Sequence, residues 1–513
     1  MIRQGTIFGA LFIVWLAGAG ELHAAGSRCV MTPERIEEVA ARLPEGVEID
    51  FLRVRDFYAL ENGDCVWGIS RRNILLEALG RVWSHGLSPS LFHLDTLEQL
   101  TPGGDTSELL LSDAALRYVR VMTAGRVPPG ALAEEVSISP VKMDAAGALA
   151  AGLHTPDFAS WLEKLPPRDP AYNRLRFAYE AYRAKASDLF HPLSLEGVRA
   201  LHPGDRSPVV PRLAARLASA GDADGLPAGT LYTPEIEAAV RHYQARHGLE
   251  VDGVVGRNTL AQLNTPPARR VEQIALNLER WRVLAHALPP TRIEVNAAAA
   301  QLSLIREGRT ELSMRAIVGA KKTRTPIIVS RAQAVIANPP WNVPSSITKN
   351  ELLPKIARDD TYMDRKHMEW VDGRIVQSPG EHNSLGRLKI DFPSRYAVYM
   401  HDTNARSLFA RDYRWLSHGC IRLQKPRELA AVLLGGGDAR AEIDRLIDEE
   451  ETVRVPVAEQ LPVAVVYWTA FVGEDGEMNF RNDVYGRDDR LKAALRGAGG
   501  SDMTVLPVEA CGM

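Results

Sequence analysis

Apolar residues recur at helical spacing through the first two hundred positions. In Arg72 to His85, Leu75, Leu79, Val82 and Trp83 fall on one helix face, and Gly86 is a stop. Leu109 to Met122 and Tyr172 to Leu189 repeat the pattern, with a polar loop at Thr101 to Thr106. This stretch, 26–200, predicts a helical scaffold domain without evident chemistry. A turn-rich unit follows at 201–267. Thr233 fits an N-cap and Pro234 the first helical position. Ile236, Val240 and Tyr243 then line a helix that Gly248 ends. Val251-Asp252-Gly253 turns toward a second short helix, Thr259 to Leu263. An amphipathic helix, Val271 to Leu284, reads as a linker over 268–289.

From about 290 the period shortens to that of strands. Ile293 to Val295 and Gln301 to Ile305 read as a hairpin, followed by Met314 to Val318, Ala332 to Ala337 and Arg395 to Met400. Between the last two lies 339–388, opened by Asn338-Pro339-Pro340-Trp341-Asn342-Val343-Pro344. Its prolines exclude a central strand, so it is expected to be a lid inserted into the sheet. The expected fold is α+β and multidomain: a helical scaffold, a small helical unit, a β-rich, sandwich-like domain at 290–456 with its lid, and a C-terminal segment, 457–513.

Composition narrows the class. The 513 residues are 45% hydrophobic and 24% charged, with net charge −3. That suits several soluble domains and gives no basic footprint for nucleic acid. Arg3, the apolar run Ile7 to Ala19 and the small residues Ala24 to Gly26 read as an export signal over 1–25, cleaved or kept as an anchor. Of four cysteines, Cys29 and Cys65 make the most natural bridge, although connectivity does not follow from sequence. Cys511 is left unassigned.

The fourth cysteine carries the chemistry. Ser417-His418-Gly419-Cys420-Ile421-Arg422 places a thiol in a glycine-flanked turn, 19 residues after His401. An imidazole near a thiol takes its proton or lowers its pKa. Alternation in Arg395 to His401 puts Tyr399 and His401 on one strand face. Gly419 permits a close backbone approach to a developing oxyanion, and Arg422 suits a carboxylate. A metal held by His382, His401, His418 and Cys420 lacks any paired-ligand spacing.

These residues resemble the signature of the YkuD-type L,D-transpeptidase catalytic domain, and the wider chain resembles its large, YcbB-like periplasmic branch. Asn338 to Val343, Ser384 to Arg387, Val466 to Ala470 and Asn482 to Gly486 add to the likeness. The 201–267 unit resembles the peptidoglycan-binding domain type 1 through Ala239, Val240, Tyr243, Gln244, Gly248, Leu249, Asp252, Gly253, Gly256, Thr259 and Leu263. The resemblance implies Cys420 as nucleophile and His401 as base, its ring oriented by a backbone carbonyl near Asp402. It implies Ser417, His418 and Gly419 as pocket and oxyanion site, with Tyr399, Arg422, Asp402 and Trp341 as substrate contacts. Many relatives carry glycine where this chain has Asp402, and a carboxylate turned inward there would raise the imidazole pKa. The implied reaction joins peptidoglycan tetrapeptide stems by a 3→3 link, releasing D-alanine, with no cofactor or metal. Carbapenem acylation, a periplasmic location and penicillin-binding proteins or other wall enzymes as partners follow from the same resemblance. Hydrolysis of the same thioester, as an L,D-carboxypeptidase or a hydrolase releasing wall-linked peptide or protein, is the rival reading. A non-catalytic wall-binding scaffold is the rival of another class. Oligomeric state is open.

Overall fold

The computed structural model describes residues 29–497. The export signal and Cys511 lie outside them. No helix among the described residues is long and apolar enough to cross a membrane. The chain is α+β, with a helical N-terminal scaffold, a small helical unit and a β-rich C-terminal domain.

The scaffold core gathers around the buried helix Asp105–Ala124. Cys29 and Cys65 are disulfide-bonded at its edge. The helix expected over Arg72 to His85 is split. Ile69–Gly80 is α-helical, Val82–His85 tightens to a 3-10 turn, and Gly86 closes it with φ +71°. The small unit has its own apolar core, which takes in Leu193 and Leu195 as well as the helix Pro234–Arg246. Thr233 stands at the N-cap position with an extended backbone, but makes no side-chain capping bond.

Two elements expected to be peripheral are central. Pro267–Leu284 is buried around its circumference and belongs to the core of the β-rich domain. A helix buried on all sides needs its polar groups paired. Arg282 bonds Glu279 at 2.7 Å, and Asn277 bonds the Thr469 hydroxyl at 2.8 Å. The C-terminal segment likewise supplies Pro462–Val466, a strand inside the main sheet between Ile327–Arg331 and Arg292–Asn296. Its continuous apolar run suits a strand buried on both faces.

The long strand Arg309–Gly319 joins the halves of that sheet. It pairs with Gln301–Arg306 through Arg315, with Ile421–Leu423 at Ala316 and Ile317, and with Trp415–Ser417 at its end. Beyond Ile421–Leu423 come Met400–His401, Leu388–Asp391, Ala334–Ala337 and Val453–Pro456. The insertion folds as a separate layer. Trp341–Asn342, Arg374–Gln377 and Met368–Val371 form a three-stranded sheet over a small core of Val343, Ile347, Leu352, Met368 and Ile375. Its two ends are pinned together where Asn338 N–H donates to the Arg387 carbonyl at 2.9 Å. Asn338 adopts φ +48°, and its buried amide donates to the carbonyls of Leu446, Ile447 and Glu451.

Three histidines are buried uncharged. Burial pushes His85 down to about 3 and His401 to about 3, and holds His247 well below its ordinary value of 6.5. The unfolded chain takes up these protons below pH 6.5 while the folded chain does not, so stability falls as pH drops. Each histidine contributes about 1.4 kcal/mol per pH unit in that range. The denaturation midpoint is expected to be level above pH 7 and to fall from pH 6.5 to 5, where ordinary carboxylates stay ionised. His85→Phe should make that fall shallower.

Candidate active site

The nucleophile turn and the histidine strand are held side by side. Met400–His401 runs parallel to Ile421–Leu423, with Met400 opposite Ile421 and His401 opposite Arg422. Ile421 N–H donates to the Tyr399 carbonyl at 3.0 Å. Alternation then places Tyr399, His401, Cys420 and Arg422 on one face. The strand is shorter than its sequence suggests, because Ala397 turns to φ +50°. Tyr399 and His401 nevertheless share a face, their rings 5.6 Å apart.

Cys420 is a free, half-buried thiol. Tyr399 lies beside it and lowers the thiol's pKa, and Trp341 lowers that of Tyr399. Burial raises the Cys420 pKa, while Tyr399, Lys389 and Arg422 pull it down. Burial and the Arg422 charge lower that of His401, against the backbone at Asp402 and Leu385. His401 Nδ1 has no partner at hydrogen-bond geometry, and the backbone at Asp402 and Leu385 acts on the ring from nearby. No hydrogen bond joins thiol and imidazole. The resting pair is therefore neutral, a thiol beside an unprotonated imidazole.

Arg422 is the unpaired charge. Its Nε is buried without a partner, and it makes no ion pair among the described residues. Burial lowers its pKa and Cys420 raises it. A desolvated guanidinium without a counter-ion is poised for an anionic substrate group.

Several expected roles change. The Gly419 N–H donates to Ser417 Oγ at 3.1 Å, so it is not a free oxyanion donor. Ser417 Oγ donates in turn to the Cys420 carbonyl at 2.5 Å, which makes it a clamp on the turn. Gly419 is required by its φ of +112°. His418 is exposed and bonds Glu351 of the lid. Asp402 is not a substrate contact: its carboxylate accepts from Arg387 N–H at 3.1 Å and pairs with Arg406 at 2.7 Å. Gly386 makes room for it, since a Cβ there would lie 2.6 Å from the carboxyl carbon. Of the metal-ligand candidates, His382 stacks on His367 at 4.5 Å, and His418 faces Glu351.

Sequence reasoning missed the support behind the turn. Thr325, fully buried, donates to the Gly419 carbonyl at 2.9 Å and accepts from Gly319 N–H at 2.8 Å. Thr323 donates to the Ser417 carbonyl at 2.8 Å, and Tyr485 to that of Gly319 at 2.6 Å. It also missed Lys389. This residue lies opposite His401 in the ladder, with Nζ 4.4 Å from the Tyr399 ring centre. The alternation of Leu388 to Asp391 beside a histidine strand was the available signal.

A half-buried thiol beside an imidazole, with an unpaired guanidinium near it, is an arrangement able to carry out thiol acyl transfer. Residues 290–455 match the L,D-transpeptidase catalytic domain (YkuD), 206–263 match a putative peptidoglycan binding domain, and 53–178 match a scaffold domain. The chain therefore carries a YkuD-type L,D-transpeptidase domain joined to a peptidoglycan-binding domain. A putative L,D-transpeptidase of Haemophilus influenzae is 32% identical over 245 residues, 44% of this chain and 49% of that protein. The chain thus spans about half the length of that curated relative. Among solved structures, an L,D-transpeptidase from Stackebrandtia nassauensis is 12% identical over 54% of this chain and 97% of its own, with TM-score 0.22. Another from Mycobacterium smegmatis is 18% identical over 34% and 58%, with TM-score 0.20.

A neutral resting pair has a kinetic signature. Alkylation of Cys420 by iodoacetamide, followed by peptide mass spectrometry, is expected to rise continuously from pH 5 to 9. A thiolate–imidazolium pair would give a plateau across pH 5 to 7 instead. Removing the cation in Lys389→Met should move the curve to higher pH by roughly one unit.

Proposed function

We propose that this protein is a peptidoglycan L,D-transpeptidase that forms 3→3 cross-links through a thioester on Cys420 and releases D-alanine. The observation that carries this reading is the free thiol in its glycine turn, on one face with Tyr399, His401 and Arg422. Cys420 Sγ attacks the carbonyl of the third residue of a donor stem while its proton passes to His401. The Cys420 N–H donates to no group among the described residues, which leaves it free to donate to the oxyanion. Collapse breaks the bond to D-alanine, whose nitrogen takes the proton from the imidazolium. The side-chain amine of an acceptor stem then attacks the thioester, loses a proton to His401, and the thiol is restored.

The charges around the thiol suit this sequence. Arg422 binds a stem carboxylate, and Lys389 favours the negative charge that develops at Sγ and the oxyanion. Desolvation under the lid favours an amine over water as acceptor. His401 is an unprotonated base throughout the neutral range, so it need not lose a proton before it acts. A carbapenem presents a strained carbonyl to the same nucleophile and acylates it. The Cys29–Cys65 disulfide supports an oxidising compartment, in keeping with export to the periplasm.

Mass spectrometry of products from disaccharide-tetrapeptide tests the proposal. A 3→3 linked dimer is expected, absent with Cys420→Ala. Tripeptide alone would make water the acceptor and the enzyme a carboxypeptidase. His401→Ala should lower kcat by about 10²–10⁴-fold, whereas Arg422→Gln should act mainly on KM.

A further inference from the structure

A cavity of about 180 Å³ lies where four parts of the chain meet, away from the nucleophile turn. The small unit contributes Arg216, Tyr243 and Arg246, the end of the helix Pro170–Ala184 contributes Tyr182, and the C-terminal hairpin contributes Phe480. Arg270, from the central helix, completes it. The rings pack on one another: Tyr182 lies 5.5 Å from Phe480, and His247 stacks on Tyr243 at 3.8 Å. The guanidinium of Arg270 sits 4.4 Å from the centre of Phe480, and that of Arg216 lies 4.2 Å from the centre of Phe190.

The charge at this cavity is unbalanced. Arg246 is paired with Asp222 at 2.5 Å, a carboxylate that also serves His242. Arg270 is 7% exposed and bonds only neutral groups, Gln262 Oε1 at 2.6 Å and Gln273 Oε1 at 3.1 Å. Arg216 donates to the carbonyls of His191 and Leu263. Neither Arg270 nor Arg216 has an ion-pair partner among the described residues. Burial lowers the pKa of both, the mark of cations held at a cost. His247 adds no charge, and exposed Asp188 and Lys185 offset each other. Uncompensated guanidinium groups behind aromatic walls form a receptor for an anion with an apolar neighbour. The volume is below the roughly 300–1,000 Å³ of pockets that hold drug-sized ligands. It suits the end of a peptide rather than a disaccharide.

We propose that this cavity is a second recognition site, which takes the terminal carboxylate and last apolar side chain of a peptidoglycan stem other than the one at Cys420. The assignment rests on peptidoglycan being the ligand, but not on any thiol chemistry. Guanidinium groups attract the carboxylate, and the rings cover the terminal methyl group. Such a site holds a neighbouring strand while the catalytic domain works on another.

The test uses the full chain with Cys420 blocked by iodoacetamide, titrated calorimetrically with three probes. They are a stem tetrapeptide ending in D-alanine, the same peptide with a C-terminal amide, and the disaccharide without peptide. Saturable tetrapeptide binding is expected, unchanged by Arg422→Gln. It should weaken at least tenfold on amidation and in Arg270→Gln, and severalfold in Lys185→Gln, whose exposed side chain leaves folding intact. Equal affinity for acid and amide, binding insensitive to both substitutions, equal binding of the disaccharide, or no binding would each overturn the proposal. Because the thiol is blocked, failure here is distinct from failure to form cross-links, which the unblocked enzyme reports.

Discussion

The short parallel pairing of Met400–His401 with Ile421–Leu423 is the constraint on which the site depends. It fixes the histidine and cysteine segments by main-chain hydrogen bonds, whatever the loop between them does. With a side-chain period of two, a slip of one residue would turn either His401 or Cys420 to the opposite face. Ile421–Leu423 is held on its other side by Arg309–Gly319, and the turn before it rests on Thr323 and Thr325. That loop is braced by Tyr485 from the far end of the chain. The catalytic domain is thus closed by segments distant in sequence, and the C-terminal strand is part of its core.

Burial sets the electrostatics of the face so formed. Desolvation disfavours both the thiolate and the imidazolium, and neither residue is placed to rescue the other by a direct hydrogen bond. Lys389 and Arg422 supply the positive charge instead. A site of this kind rests inert and gains reactivity when substrate and lid complete it. The insertion is well placed for that task, since its Glu351 bonds His418 in the nucleophile turn.

What could be read from the sequence divides along physical lines. The Ser-His-Gly-Cys turn, its histidine, the insertion and the small unit all have local signatures; the insertion folds as a separate layer and the small unit around its own core. Asp402 was misjudged because its partners, Arg387 and Arg406, are fixed by a tight turn at Gly386 that no periodicity reveals. Gly419 was placed in the oxyanion site by resemblance, and its own N–H is used by Ser417, an arrangement visible only in three dimensions. The helix Pro267–Leu284 looked amphipathic because it carries arginine and glutamate, yet several of those charges are met inside the core, Arg282 by Glu279 and Arg280 by Asp488. Thr325 and Lys389 act through strands that are neighbours in space alone.

The account turns on His401 being uncharged beside an uncharged thiol. Titration of the His401 ring by carbon-13 NMR, with Cys420 intact and no substrate bound, tests it most directly. The ring is predicted to remain neutral from pH 8 down to about 5, its pKa being near 3. A ring that protonates near or above pH 7, and loses that proton on alkylation of Cys420, would establish an ion pair and contradict the account.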